Sequence, residues 1–132
     1  MRDDLWKPIK TAHPNYWSDK IRLMPDGYSS AIVGLFRDVE QISGGLQLVE
    51  IDLLAYPGGG IAASMRPRTD GDDVTDAQKA QLFDLLKSWS KAVGQICQVC
   101  GRSPVSILKY MDSRDQEILC EQHMRERRSS DE

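Results

Sequence analysis

No apolar run in the chain approaches the length of a membrane span, so a transmembrane anchor is not expected. Excess charge of either sign is also missing. The chain has 17 Lys and Arg against 20 Asp and Glu, a formal net charge of -3, which gives no long-range pull toward phosphate backbones or anionic lipid. Cysteine is scarce, and its count of three is odd. A disulfide framework would leave one thiol unpaired, whereas a reducing cytosol keeps thiols free to ligate metal. The opening segment "MRDDLWKPIK" has two acidic residues and no apolar block behind it, so a secretory leader is not expected and a cytoplasmic location is. Several catalytic signatures are absent as well. "PGGG" at 57–60 lacks the Lys-Ser/Thr and the strand-to-helix setting of a phosphate loop. No histidine stands where the zinc deaminase pattern H-x-E before P-C-x-x-C requires one.

What is present suits one compact domain, since 132 residues that are 40% hydrophobic can bury a modest core. Residues 1–27 mix Trp6, Pro8, His13, Pro14, Tyr16, Trp17 and Pro25 without sustained periodicity and read as a leading segment that docks aromatics on that core. In "PDGYSSAIVGLFRDVEQISGG", Ile32, Leu35, Phe36, Val39 and Ile42 fall three or four residues apart before Gly44-Gly45, which predicts an amphipathic helix with a glycine stop. Alternation of Val49, Ile51, Leu53 and Ala55 up to the "PGGG" turn, then "IAASMRP", predicts a β-hairpin. A second helix is expected from a capping box at Thr75 and Gln78, with Leu82, Leu85, Leu86, Trp89, Ala92, Val93 and Ile96 along one face. Between hairpin and helix, Asp70, Asp72 and Asp73 read as a solvated turn, because the glutamate that closes a calcium loop is missing. The expected fold class is α+β: two amphipathic helices with a small antiparallel hairpin over residues 1–96, and a zinc module of treble-clef type over 97–128.

That module rests on Cys97, Cys100, Cys120 and His123, a C-x2-C-x19-C-x2-H pattern. Zinc takes four tetrahedral thiolate or imidazole ligands, and each x2 spacing brings two side chains to one ion from a tight turn or one helical turn. Gly101 suits the positive φ of a knuckle, where amides can donate to thiolates. "VSILKY" and "QEIL" flanking "MDSRD" predict a second hairpin that returns the chain to Cys120, and "CEQHMRERR" predicts a helix whose first turn supplies Cys120 and His123. Knuckle, hairpin and helix form a treble clef. A redox Cys97/Cys100 pair is disfavoured because such motifs open a helix, and this pair follows one. Four protein ligands would fill the shell, so one structural zinc is expected rather than a catalytic one.

The remaining histidine, His13, reads as a packed or surface residue rather than a general base, and an enzyme built on His13 and the Asp70 to Asp73 loop is the weaker reading. Nucleic-acid binding is the alternative function, through Arg125, Arg127 and Arg128 on the terminal helix. From Cys97 onward, however, six basic residues face seven acidic ones. Such a balance does not favour a phosphate clamp. Asp38, Glu40, Glu50 and Asp52 are candidates for an acidic face toward a basic partner.

"ICQVCG" and "LCEQH", preceded by an amphipathic helix, a Gly-Gly hairpin and a second helix, resemble a family of small phage and prophage proteins of unassigned function. The resemblance covers roughly residues 28–124 and carries Cys97, Cys100, Gly101, Cys120 and His123 onto that family's zinc site. The basic and aromatic stretch usual in the family's hairpin is replaced here by "LLAYPGGGIAA", in which only Tyr56 and the glycines correspond. The resemblance implies a phage-borne accessory protein that binds and disables a host protein, such as a component of a CRISPR or other defence complex, in the bacterial cytoplasm. A non-enzymatic, zinc-stabilised protein-interaction module is the function expected from the sequence.

Overall fold

The computed structural model describes residues 1–68, 73–110 and 116–131. Among them are four helices and two small antiparallel sheets, an α+β fold with a treble-clef-like module at its C-terminal end. Helix α1 spans Asp3–Ala12, α2 Ser29–Ser43, α3 Asp76–Val93 and α4 Glu121–Asp131. Strands β1 (Val49–Ala55) and β2 (Ile61–Pro67) form one hairpin; β3 (Ser106–Lys109) and β4 (Gln116–Leu119) form the other. Asp70 and Asp72, and the "MDSRD" turn, lie outside the described residues.

Helix α2 follows the apolar spacing closely. Ile32, Leu35, Phe36 and Val39 are fully buried, and Gly44 ends the helix at φ 62, the left-handed conformation glycine adopts without a Cβ penalty. Helix α3 starts from the expected capping box, the Thr75 hydroxyl accepting from the Gln78 amide and the Gln78 side chain accepting from the Thr75 amide, both at 3.1 Å. Leu82, Leu86, Trp89 and Val93 form its buried stripe. Leu85 and Ile96 are only half-buried against the core and Ala92 is exposed. The Trp89 indole donates to the Ala31 carbonyl at 2.7 Å, tying α3 to α2, and the Ser90 hydroxyl accepts from the Ala63 amide, tying α3 to the edge of β2.

The N-terminal segment is more ordered than its sequence suggests. Residues 3–12 form α1, in which Trp6 and Ile9 face inward and the buried stripe continues to His13. A polar residue in that stripe and Pro8 inside the helix hide the period. Two 3-10 turns, Asp19–Leu23 and Asp26–Tyr28, then lead into α2. The aromatics dock as expected. Tyr16 is buried against Phe36, and Trp6 stacks on Trp17 at 5.6 Å with the Arg22 guanidinium 4.4 Å over its ring.

On β1, Val49, Ile51 and Leu53 point into the core as the alternation predicts, while Ala55 is exposed next to the turn. Tyr28 is buried and its hydroxyl accepts the Gly60 amide at 2.8 Å, joining the start of α2 to that turn. Burial pushes the Tyr28 phenol above its ordinary range, and the Gly60 donor works against that. Tyr28→Phe is expected to strand the Gly60 N–H and cost about 1–3 kcal/mol in a urea denaturation series, with the helical signal of the folded state unchanged.

Candidate metal centre

The end of α3 delivers the chain to a tight knuckle. The Cys97 amide donates to the Arg102 carbonyl at 2.8 Å, and the Gly101 amide donates to the Cys97 carbonyl at 2.7 Å with Gly101 at φ 78. That closure turns both knuckle cysteines the same way. The Val99 amide lies 3.4 Å from the Cys97 sulfur and donates to it. Across the site, β4 brings Cys120 to the start of α4, and the Cys120 carbonyl accepts from the Met124 amide at 2.9 Å, so His123 sits in the first helical turn.

The four sequence-predicted ligands come together. One donor atom from each of Cys97, Cys100, Cys120 and His123 lies within 4.8 Å of the others, an arrangement that can hold a metal ion. The Cys100 and Cys120 sulfurs are 3.7 Å apart, and His123 Nδ1 is 3.6 Å from the Cys97 sulfur and 3.2 Å from that of Cys120. Cys97 and Cys120 are buried, whereas Cys100 is exposed. The other imidazole nitrogen, Nε2, faces the Glu126 carboxylate at 3.8 Å, a partner that orients the ring with Nδ1 toward the sulfurs.

The thiols respond to this crowding in opposite directions. The Cys120 thiol is pulled down to about 6, chiefly because its sulfur accepts the His123 amide, with burial opposing. The Cys100 thiol is pushed up, first by loss of hydration and then by the neighbouring sulfurs. A cation at the centre of the group would relieve that conflict, since it favours every thiolate at once. The sign of the pH dependence follows. Thiols must lose their protons to bind a cation, so metal is expected to be retained at neutral pH and released on acidification. Metal passing an ultrafiltration membrane across a pH series measures this.

One residue that the sequence reading passed over binds the module together. The Glu117 carboxylate accepts from Gln98 Nε2 of the knuckle at 3.1 Å, from the Tyr110 hydroxyl beyond β3, and from Arg127 Nε of α4 at 3.3 Å. Its place in "QEIL" carries no signal of this, because alternation marks it only as a polar strand position. A second omission is Gly27. Its amide donates to the Gln98 carbonyl at 2.9 Å, and a Cβ built on it would lie 2.2 Å from the Cys97 carbonyl oxygen.

The other candidates are not brought together in this way. Arg125 pairs with Glu121 and Arg127 with Glu117, so two of the three arginines proposed for nucleic acid already face carboxylates of the chain. His13 is buried against Phe36 with Nδ1 2.9 Å from Glu40, a packed histidine outside the cysteine group. Of the candidate acidic face, Glu40 is thus occupied, Glu50 pairs with Arg66 at 2.6 Å and Asp52 with Lys20 at 3.1 Å. No protein-family model matches the chain, and comparison with curated proteins and with solved structures finds no significant match.

Proposed function

We propose that this chain is a non-enzymatic protein-interaction module whose C-terminal fold is held by one structural zinc ion. The closed donor set carries the reading. Three thiolates and an imidazole are the set zinc prefers, and four protein ligands leave no position for substrate. A tetrahedral zinc with bonds of about 2.3 Å to sulfur and about 2.0–2.1 Å to nitrogen implies edges of about 3.8 Å and about 3.6 Å. The 3.7 Å sulfur pair and the 3.6 Å sulfur–nitrogen pair fit those edges, and the 3.2 Å Cys120–His123 pair is shorter than the second.

Binding rather than catalysis is supported by the surface around the site. Leu54, Tyr56 and Ile107 are exposed apolar side chains on the two hairpins, which touch where Gln116 Nε2 donates to the Gly58 carbonyl at 2.8 Å. The ion pairs of Arg125 and Arg127 weaken the case for a phosphate clamp. The partner class implied by the sequence resemblance is a host protein or complex, with inhibition of a defence complex as the biological role. Purified protein carrying tagged bait should retain a stoichiometric protein partner from bacterial lysate, confirmed by titration with that partner in isolation. Absence of any such partner, together with nucleic-acid binding that falls steeply with salt, would overturn the reading in favour of a nucleic-acid module.

A further inference from the structure

The four ligands differ sharply in access. Cys97 is fully buried and receives the Val99 amide, and Cys120 is buried between β4 and α4. Cys100 is exposed and forms part of the wall of a groove of ≈ 720 Å³ that runs between the knuckle, Arg2 and the start of α2 at Ser29 and Ser30. The Cys120 sulfur lies 3.7 Å from that of Cys100, and the fully buried Cys97 sulfur is within 4.8 Å of both. The ligand open to solvent therefore has a second sulfur in reach.

We propose that Cys100 is an oxidation site, and that peroxide converts Cys100 and Cys120 to a disulfide that ejects the metal. This rests on the metal-binding reading above. Zinc has no redox chemistry of its own, so the electrons come from sulfur. In the first step the Cys100 thiolate attacks one oxygen of hydrogen peroxide, the O–O bond breaks, hydroxide leaves and a sulfenic acid remains. In the second, the Cys120 sulfur attacks the Cys100 sulfur, the S–O bond breaks and a second hydroxide leaves. Peroxide gains the two electrons that the two thiolates lose. Two of the four ligands are then consumed, and Cys97 with His123 alone do not make a closed tetrahedral site.

The structural consequence is confined by the packing. The core around the site consists of Cys97, Leu119, Cys120 and Met124, with Val99, Val105 and Leu108 against it. Half of its buried members are ligands, so after loss of the ion β4 and α4 are held to the knuckle by the new disulfide and by the Glu117 contacts with Gln98 and Arg127. Reduction and fresh zinc would rebuild the site, which makes the event reversible.

The test uses the full chain, loaded with zinc and assayed for metal before any oxidant is added. Hydrogen peroxide should then release the whole metal equivalent to a chromogenic chelator. The chain should lose the mass of two hydrogens, and peptide mapping should show Cys100 linked to Cys120 with Cys97 still alkylatable after denaturation. Dithiothreitol followed by zinc should restore the starting metal content. Metal retained under peroxide, a disulfide involving Cys97 or a second chain, or direct passage to sulfonic acid would overturn the proposal while leaving the zinc reading intact. A chain that holds no metal at the outset would overturn both, and the initial metal assay separates the two failures.

Discussion

Gly27→Ala is expected to unfold the protein or destabilise it by about 4 kcal/mol or more, among the largest effects of any single methyl in the chain. The added Cβ would stand 2.2 Å from the Cys97 carbonyl oxygen and 2.5 Å from the Gln98 carbonyl carbon. Both are backbone atoms of the knuckle and cannot swing aside as a side chain would. The turn before α2 must therefore move off the knuckle, breaking the 2.9 Å bond from the Gly27 amide to the Gln98 carbonyl. Gly101 repeats the geometry from the other side, since a Cβ there would meet the Gly27 carbonyl oxygen at 2.8 Å. The appropriate control is Gly34→Ala in α2, where nothing lies within 4 Å of the new methyl. That variant is expected to be stabilised by about 0.5–1 kcal/mol, since alanine loses less backbone entropy than glycine in a helix. Urea midpoints of the two variants decide the matter; an unchanged midpoint for Gly27→Ala would contradict the packing described.

Removing the metal, by chelation or by Cys120→Ser, is expected to release the segment from Cys97 onward while leaving much of the remaining core assembled. The asymmetry lies in what each part buries. The main core runs from Ile9 through Phe36, Leu48 and Ile61 to Val93 and contains none of the ligands. The small cluster at the metal centre has Leu119 and Met124 as its buried members other than cysteine. Structural zinc contributes on the order of 10 kcal/mol to modules of this kind, more than so small an apolar cluster supplies. Amide exchange should show protection lost at Leu119 and Met124 and retained at Leu35, Phe36 and Val39. Loss spread evenly over both sets would mean that the two parts unfold as one.

The parts of the fold legible in the sequence were those written in side-chain spacing. Leu82, Leu86, Trp89 and Val93 announce α3, Val49, Ile51 and Leu53 announce β1, and the paired x2 spacings announce the group of Cys97, Cys100, Cys120 and His123, which could hold a metal ion. Helix α1 was hidden because its stripe passes through His13 and its interior holds Pro8. Ala92 and Ala55 fit their periods, yet they lie where the element faces solvent, a matter of what packs against it rather than of pattern. Gly27 and Glu117 were illegible for another reason. Their roles come from contacts with residues far away in the chain, Gly27 with Gln98 and Glu117 with both Gln98 and Arg127. Ordinary glycine and glutamate carry no local mark of such a partner.

All three tryptophans lie outside the metal module: Trp6 and Trp17 stacked beside Arg22, and Trp89 bonded to Ala31. Indole emission is consequently a gauge of the first two-thirds of the molecule and is blind to events confined to the last third. Tyr110, with its hydroxyl on Glu117, is the chromophore placed to report there. A melt followed by tryptophan fluorescence should therefore show a single late step, whereas tyrosine absorbance should already change when the metal is withdrawn, before any heating. Their divergence would be an optical signature of two unequally held halves rather than a fault in either probe.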